Sequence, residues 1–177
     1  MVSKLKIFVL ALVTIFFVKC KSTATVAEVN ELKKIISNNN FTFIADTAMP
    51  MSIANVKGIE NLLPAGSSLA NINLTGNPNF LIIKNDSIHL DMPYFGERRM
   101  GGGYNSDNGL NFEGKYKDIE VNYNDKKKNY RLKYVITSKQ EILTLTLTMF
   151  VNNYASLNII SSQRNAIDYR GNWKENE

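Results

Sequence analysis

Leu143-Thr144-Leu145-Thr146-Leu147-Thr148-Met149 is the stretch that decides the fold class. Large apolar residues stand at every second place, with a threonine between each pair. Only an extended strand sends successive side chains to opposite faces, so this spacing predicts one buried and one wet face. Antiparallel sheets permit that arrangement. Working outward, the same period recurs in Tyr130, Leu132, Tyr134 and Ile136, in Ile88, Leu90 and Met92, in Ala70, Ile72 and Leu74, and at Phe41 and Phe43. Asn85-Asp86, Asn124-Asp125 and Asn152-Asn153 each separate two apolar runs, and Gly76-Asn77-Pro78-Asn79 is a further break. Asn and Asp tolerate the left-handed backbone that tight hairpins need. About nine strands joined mostly by short turns predict a mainly β domain, an antiparallel meander closed as a small barrel or sandwich. Ala48 to Ser68, with Pro50, Gly58, Pro64 and Gly66, and Pro93 to Gly109 are expected to be irregular.

The period changes before Phe41. Thr25 and Glu28 have capping-box spacing, and Val26, Val29, Leu32 and Ile36 then fall on one side, with Glu31, Lys33 and Lys34 elsewhere. This predicts one short N-terminal helix over 25–40, ended by Asn38-Asn39-Asn40. The β domain follows over 41–177.

Met1 to Lys6 is short and positive, and Ile7 to Val18 is an uncharged apolar run. That run is well short of the roughly 20 residues needed to span a bilayer and fits the core of a signal peptide. Cys20, the single cysteine, sits at its end. No intramolecular disulfide can form, so the domain must rely on its core. A positive start, an apolar core and a boundary cysteine resemble a bacterial lipoprotein signal. The expectation is a signal peptide over 1–19, a lipid on Cys20 and a tether over 20–24. Phe17, Val18 and Lys19 depart from the usual Leu and small residues before such a cysteine, so an ordinary secretory signal or an uncleaved anchor stands as the other reading.

The formal charge is +5, from 21 Lys+Arg and 16 Asp+Glu. Lys4, Lys6 and Lys19 lie in the leader, so the mature chain carries 18 against 16, or +2. Its only dense basic run, Lys126-Lys127-Lys128, sits beside Asp125 and reads as a solvated hairpin tip. A nucleic-acid binder keeps a concentrated basic face, and none is present.

Chemistry is sparse. Pro93 to Tyr104 holds Gly101-Gly102-Gly103 but lacks the Lys-Ser/Thr pair of a phosphate loop. Arg98 and Arg99 are suited to an anionic group and Tyr94 and Tyr104 to a ring or an apolar face, which makes this segment the candidate binding loop. Its bland alternative is a surface connection whose arginines are solvated. His89 is the single histidine and lies on the polar side of its strand, so it is read as an exposed strand residue, and with Cys20 acylated neither a triad nor a zinc site is expected. Asn105-Ser106-Asp107-Asn108-Gly109 misses calcium-loop spacing and reads as a turn. Asp91, Glu97, Asp107 and Glu113 are the acids from which a glycoside-hydrolysing pair would have to come. No cofactor and no metal is expected.

Phe43-Ile44-Ala45-Asp46-Thr47-Ala48-Met49-Pro50, Leu90-Asp91-Met92-Pro93-Tyr94-Phe95-Gly96, Gly109-Leu110-Asn111-Phe112 and the tail Leu157 to Gly171 stand in an order that resembles the domain-of-unknown-function family 4251 of Bacteroidetes envelope proteins. The resemblance implies an exported, often lipid-anchored β domain with no assigned reaction. The functional expectation is a non-enzymatic envelope lipoprotein that binds a small ligand or an envelope protein on its β scaffold. The alternatives are a structural component of an outer-membrane complex and a carboxylate-based glycan hydrolase. Lys21-Ser22-Thr23-Ala24-Thr25 holds no acidic residue, which favours an outer-membrane protein facing the periplasm.

Overall fold

The structure, a computed structural model, describes residues 24–51, 63–99, 109–138 and 141–177. The leader, Cys20 and Tyr104 lie outside them. Helix α1 (Val26–Asn38) opens with the capping box: Glu28 N donates to Thr25 Oγ1 (3.3 Å) and Thr25 N to Glu28 Oε2 (2.7 Å). It ends at Asn39, which takes the left-handed φ of 46°. Leu32, Ile35 and Ile36 are its buried face, while Val26 in the first turn is 78% exposed.

Among the described residues ten strands follow: β1 (Asn40–Pro50), β2 (Ile72–Asn73), β3 (Phe80–Lys84), β4 (Ser87–Met92), β5 (Leu110–Lys115), β6 (Asp118–Asn124), β7 (Asn129–Thr137), β8 (Ile142–Phe150), β9 (Tyr154–Ser161) and β10 (Ile167–Glu175). They form one antiparallel sheet in the order β5-β4-β3-β1-β10-β9-β8-β7-β6, with β2 beside β1. The two end strands are consecutive in the chain, parted only by Tyr116 and Lys117. Alternating directions along the order make β5 and β6 run the same way. Residues 110–124 are therefore one bent strand that pairs with β4 in its first half and β7 in its second. Backbone bonds mark the switch: Tyr116 N donates to Asp86 O and Lys117 N to Val135 O. The sheet must curl to let one strand serve both ends, and it becomes a half-barrel with its apolar face inward.

That face is filled by side chains. Phe41, Phe43, Leu81, Leu90, Leu145 and Tyr169 are fully buried in one cluster that α1 joins through Leu32 and Ile36. At about 25 cal/mol per Å² of apolar surface, each buried Leu or Phe contributes roughly 1.5–3 kcal/mol.

The stretch expected to be irregular from Ala48 begins later than the sequence suggests, because β1 runs on to Pro50. A bulge lies between Ala45 and Thr47, so the inward set changes from Phe41, Phe43 and Ala45 to Ala48. Gly171 faces it, where a Cβ would lie 2.0 Å from Ile44 O, too close for any other residue. Asn79 patches the ladder beside the bulge. Its side chain accepts from Ala45 N (2.8 Å) and donates to Ala45 O (3.0 Å), taking the place of a strand backbone.

Candidate interaction site at the loop end

The loop end of the half-barrel brings together residues 93–99 after β4, Ser138 and Glu141 before β8, and 162–166 before β10. Its centre is an ion pair that the alternation of β8 forces inward. Glu141 shares the parity of Leu143, Leu145 and Leu147, so its carboxylate points to the core side, where it is buried. Arg164 meets it with Nη2 at 3.0 Å and Nε at 3.1 Å, and both side chains are under a tenth exposed. Ser161 Oγ donates to the other carboxylate oxygen and accepts from the backbone N–H groups of Gln163 (2.9 Å) and Arg164 (3.1 Å). The carboxylate is thus bound on both oxygens, which a buried charge requires.

The segment expected to bind is tied to this centre. The Arg164 guanidinium lies over the Tyr94 ring, 5.2 Å from its centroid. Tyr94 Oη shares its proton between Glu97 O (3.0 Å) and Asn165 O (2.9 Å), and burial pushes its phenol pKa up, with Arg164 pulling the other way. Residues 97–99 pair with 163–165 as a short antiparallel ladder: Asn165 N to Glu97 O, Arg99 N to Gln163 O, and a bridge between Arg98 and Arg164. Arg99 Nη2 donates to Arg164 O (2.9 Å), yet the residue stays exposed. Arg98 is half-buried, and its Nε has no hydrogen-bond partner among the described residues. From below, Tyr169 Oη donates to Pro93 O (2.7 Å), fixing where the loop leaves β4.

The family model described as a domain of unknown function, DUF4251, matches residues 24–173. The chain belongs to that family. No curated protein matches it. A crystal structure of a DUF4251 family protein from Bacteroides eggerthii is similar at 16% identity, with a TM-score of 0.56, covering 84% of this chain and 88% of that one. At that identity the likeness concerns the fold.

Within this DUF4251 domain, three of the four expected binding residues are placed, and Tyr94, Arg98 and Arg99 share one loop end. Tyr104, the Gly101-Gly102-Gly103 run and Asp107 lie outside the described residues. His89 is exposed, with its ring edge-on to Phe80 at 4.7 Å. Asp91 and Glu113 line an open groove of about 280 Å³ on the outer face of β4 and β5, together with His89 and Asn111. Among the described residues, no group of three or more His, Cys, Asp or Glu is placed to hold a metal, and no helix is long and apolar enough to cross a membrane. The residues that sequence reasoning missed are Glu141, Ser161 and Arg164. Glu141 and Ser161 carry a legible signal, a polar residue at core parity in an otherwise apolar row; Arg164 lies in a loop and carries none.

Proposed function

We propose that this DUF4251 protein is a non-enzymatic envelope lipoprotein, held by lipid on Cys20 at the outer membrane and facing the periplasm, whose loop end binds a protein partner. The observation that carries the binding part is the buried Glu141–Arg164 pair with Tyr94 stacked on it. A buried ion pair is a poor way to gain stability, because desolvation offsets most of its attraction, and its best-attested use is to fix one arrangement. Here it locks three loops to one another, and a surface already ordered before contact loses less entropy on binding. Arg99, exposed on that surface, offers a planar fork to a carboxylate. A protein is the better match than a small ligand because the inner face is occupied by Phe41, Leu145 and Tyr169.

Two measurements test this. In the native host the chain should incorporate labelled fatty acid and sediment with membranes, and Cys20→Ser should abolish both; persistence of both in that variant would end the lipoprotein reading. Replacing Arg98 and Arg99 together with Gln should reduce recovery of cross-linked envelope partners while the melting temperature stays within a few degrees. A large fall in melting temperature with partners still recovered would make the arginines structural. The second reading, a building block of an outer-membrane complex, is favoured by the strand edge that β6 leaves open among the described residues.

A further inference from the structure

Among the described residues, the inward row of β6 is only partly covered. Ile119 is half-buried, but Val121 and Tyr123 are 47% and 41% exposed, although they point to the same side as the fully buried Leu132 and Tyr134 of β7. The cause is the bent strand: among the described residues, β6 has β7 on one side and no strand on the other. Among the described residues its outer backbone edge and its apolar row are both open, the combination that accepts a further strand.

We infer that β6 pairs antiparallel with β6 of a second copy, in a register centred on Val121. The sequence Asp118-Ile119-Glu120-Val121-Asn122-Tyr123-Asn124 is self-complementary in that register and in no neighbouring one. Val121 falls opposite Val121, and Ile119 opposite Tyr123, so the exposed row covers itself. Asp118 falls opposite Asn124 and Glu120 opposite Asn122, so each acid meets an amide. One step beyond the strand, Lys117 comes opposite Asp125. A shift of two residues towards Asp118 would set Glu120 against itself, and a shift the other way leaves Asp118 and Ile119 unpaired. Within each chain Asn122 is opposite Arg131 and Glu120 opposite Lys133, with Lys133 Nζ 3.3 Å from Glu120 Oε2. The row across the joined sheets then reads cation, acid, amide, cation, with no like charges adjacent. A seven-residue edge makes an interface at the small end of specific ones, so the association is weak and concentration-dependent.

The test uses the full chain carrying Cys20→Ser, followed by sedimentation equilibrium from micromolar to millimolar concentration. A monomer–dimer equilibrium is expected. Asn122→Glu sets an acid against Glu120 of the other copy at two symmetric places and should weaken the dimer about fivefold, whereas Asn122→Lys should tighten it by a similar factor. Within its own chain residue 122 faces Arg131 and also donates to Glu120 Oε1 (3.2 Å), so a new charge there meets one group of each sign, and urea midpoints at low concentration separate a change in folding from a change in association. In the same background Val121→Cys should form a disulfide-linked dimer, while Tyr123→Cys, displaced from its own copy by about four residues of strand, should not. Three results would overturn the inference: a monomer at all concentrations, a dimer indifferent to both residue-122 variants, or a disulfide-linked dimer from Tyr123→Cys but not from Val121→Cys. None of these outcomes bears on Cys20 or the loop end.

Discussion

In β8, Leu143, Leu145 and Leu147 point inward and are buried; in β6, Ile119, Val121 and Tyr123 point inward and are buried only in part. The two strands have the same alternation and both pair with β7. What separates them is the other side. β8 has β9 there, with Leu157 opposite Leu147 and Ile159 opposite Leu145. β6 has no strand there among the described residues. Alternation therefore fixes the face a residue takes, and the number of neighbouring strands fixes how deeply that face is covered.

The hardest blow to that contrast is Leu145→Asp. It places an unpaired charge among fully buried neighbours and should cost more than about 5 kcal/mol, enough to unfold a domain of ordinary stability, as read by urea denaturation. Retention of cooperative unfolding near the wild-type midpoint would mean that β8 does not face a core.

Glu141→Ala comes next. It removes the carboxylate that the buried Arg164 guanidinium meets and should cost about 3–5 kcal/mol, although Glu141 stands just before β8. The double change Glu141→Leu with Arg164→Met should recover most of that loss while loosening the loop end, seen as faster amide exchange at 97–99. A double variant no better than Glu141→Ala would show that the pair's charge is not what makes its removal costly.

Tyr94→Phe is a milder probe. It removes one hydroxyl shared by two carbonyls and should cost about 1–2 kcal/mol in the same denaturation assay, with the ring still under Arg164.

The smallest effect sharpens the comparison most. Val121→Asp, measured at low protein concentration, should cost no more than about 1 kcal/mol, as should Thr146→Asp on the outer face of β8. If Val121→Asp were as damaging as Leu145→Asp, β6 would be covered on both sides and the seam closed.

The parts of the fold legible in sequence are those governed by nearest neighbours along the chain. The capping box, the rows of β4, β7 and β8, and the turn asparagines Asn85 and Asn153, at φ 55° and 64°, belong here. At the β6–β7 tip the left-handed position falls on Lys128 instead of Asn124 or Asp125, since Asn124 is spent accepting from Lys127 N and Asp125 pairs with Lys128 Nζ. Val26 has helical spacing but stays exposed, the buried face of α1 being Leu32, Ile35 and Ile36. The bulge at Asp46 is illegible because it is made by Gly171 and Asn79, far along the chain. Of the loop end, the side chains of Tyr94 and Arg99 are legible as candidates. Their hydrogen bonds to Asn165 and Arg164 are not, because nothing local couples residues so far apart in sequence.

The first and last strands meet in the middle of the sheet, Phe41 opposite Glu175 and Pro50 opposite Ile167. On one side of that junction lie β3, β4 and β5, and on the other β9, β8, β7 and β6, each set wound from hairpins between sequence neighbours. A chain still being synthesised can wind both sets but cannot join them until β10 arrives. Until then, among the described residues, the open edges include β1 and β9 as well as β5 and β6, four in place of two. Rows such as Phe41 and Phe43 on β1 and Leu157 and Ile159 on β9 then lie beside unpaired backbone, the condition under which chains associate wrongly. For this protein the time of greatest danger is the interval between the ninth strand and the tenth.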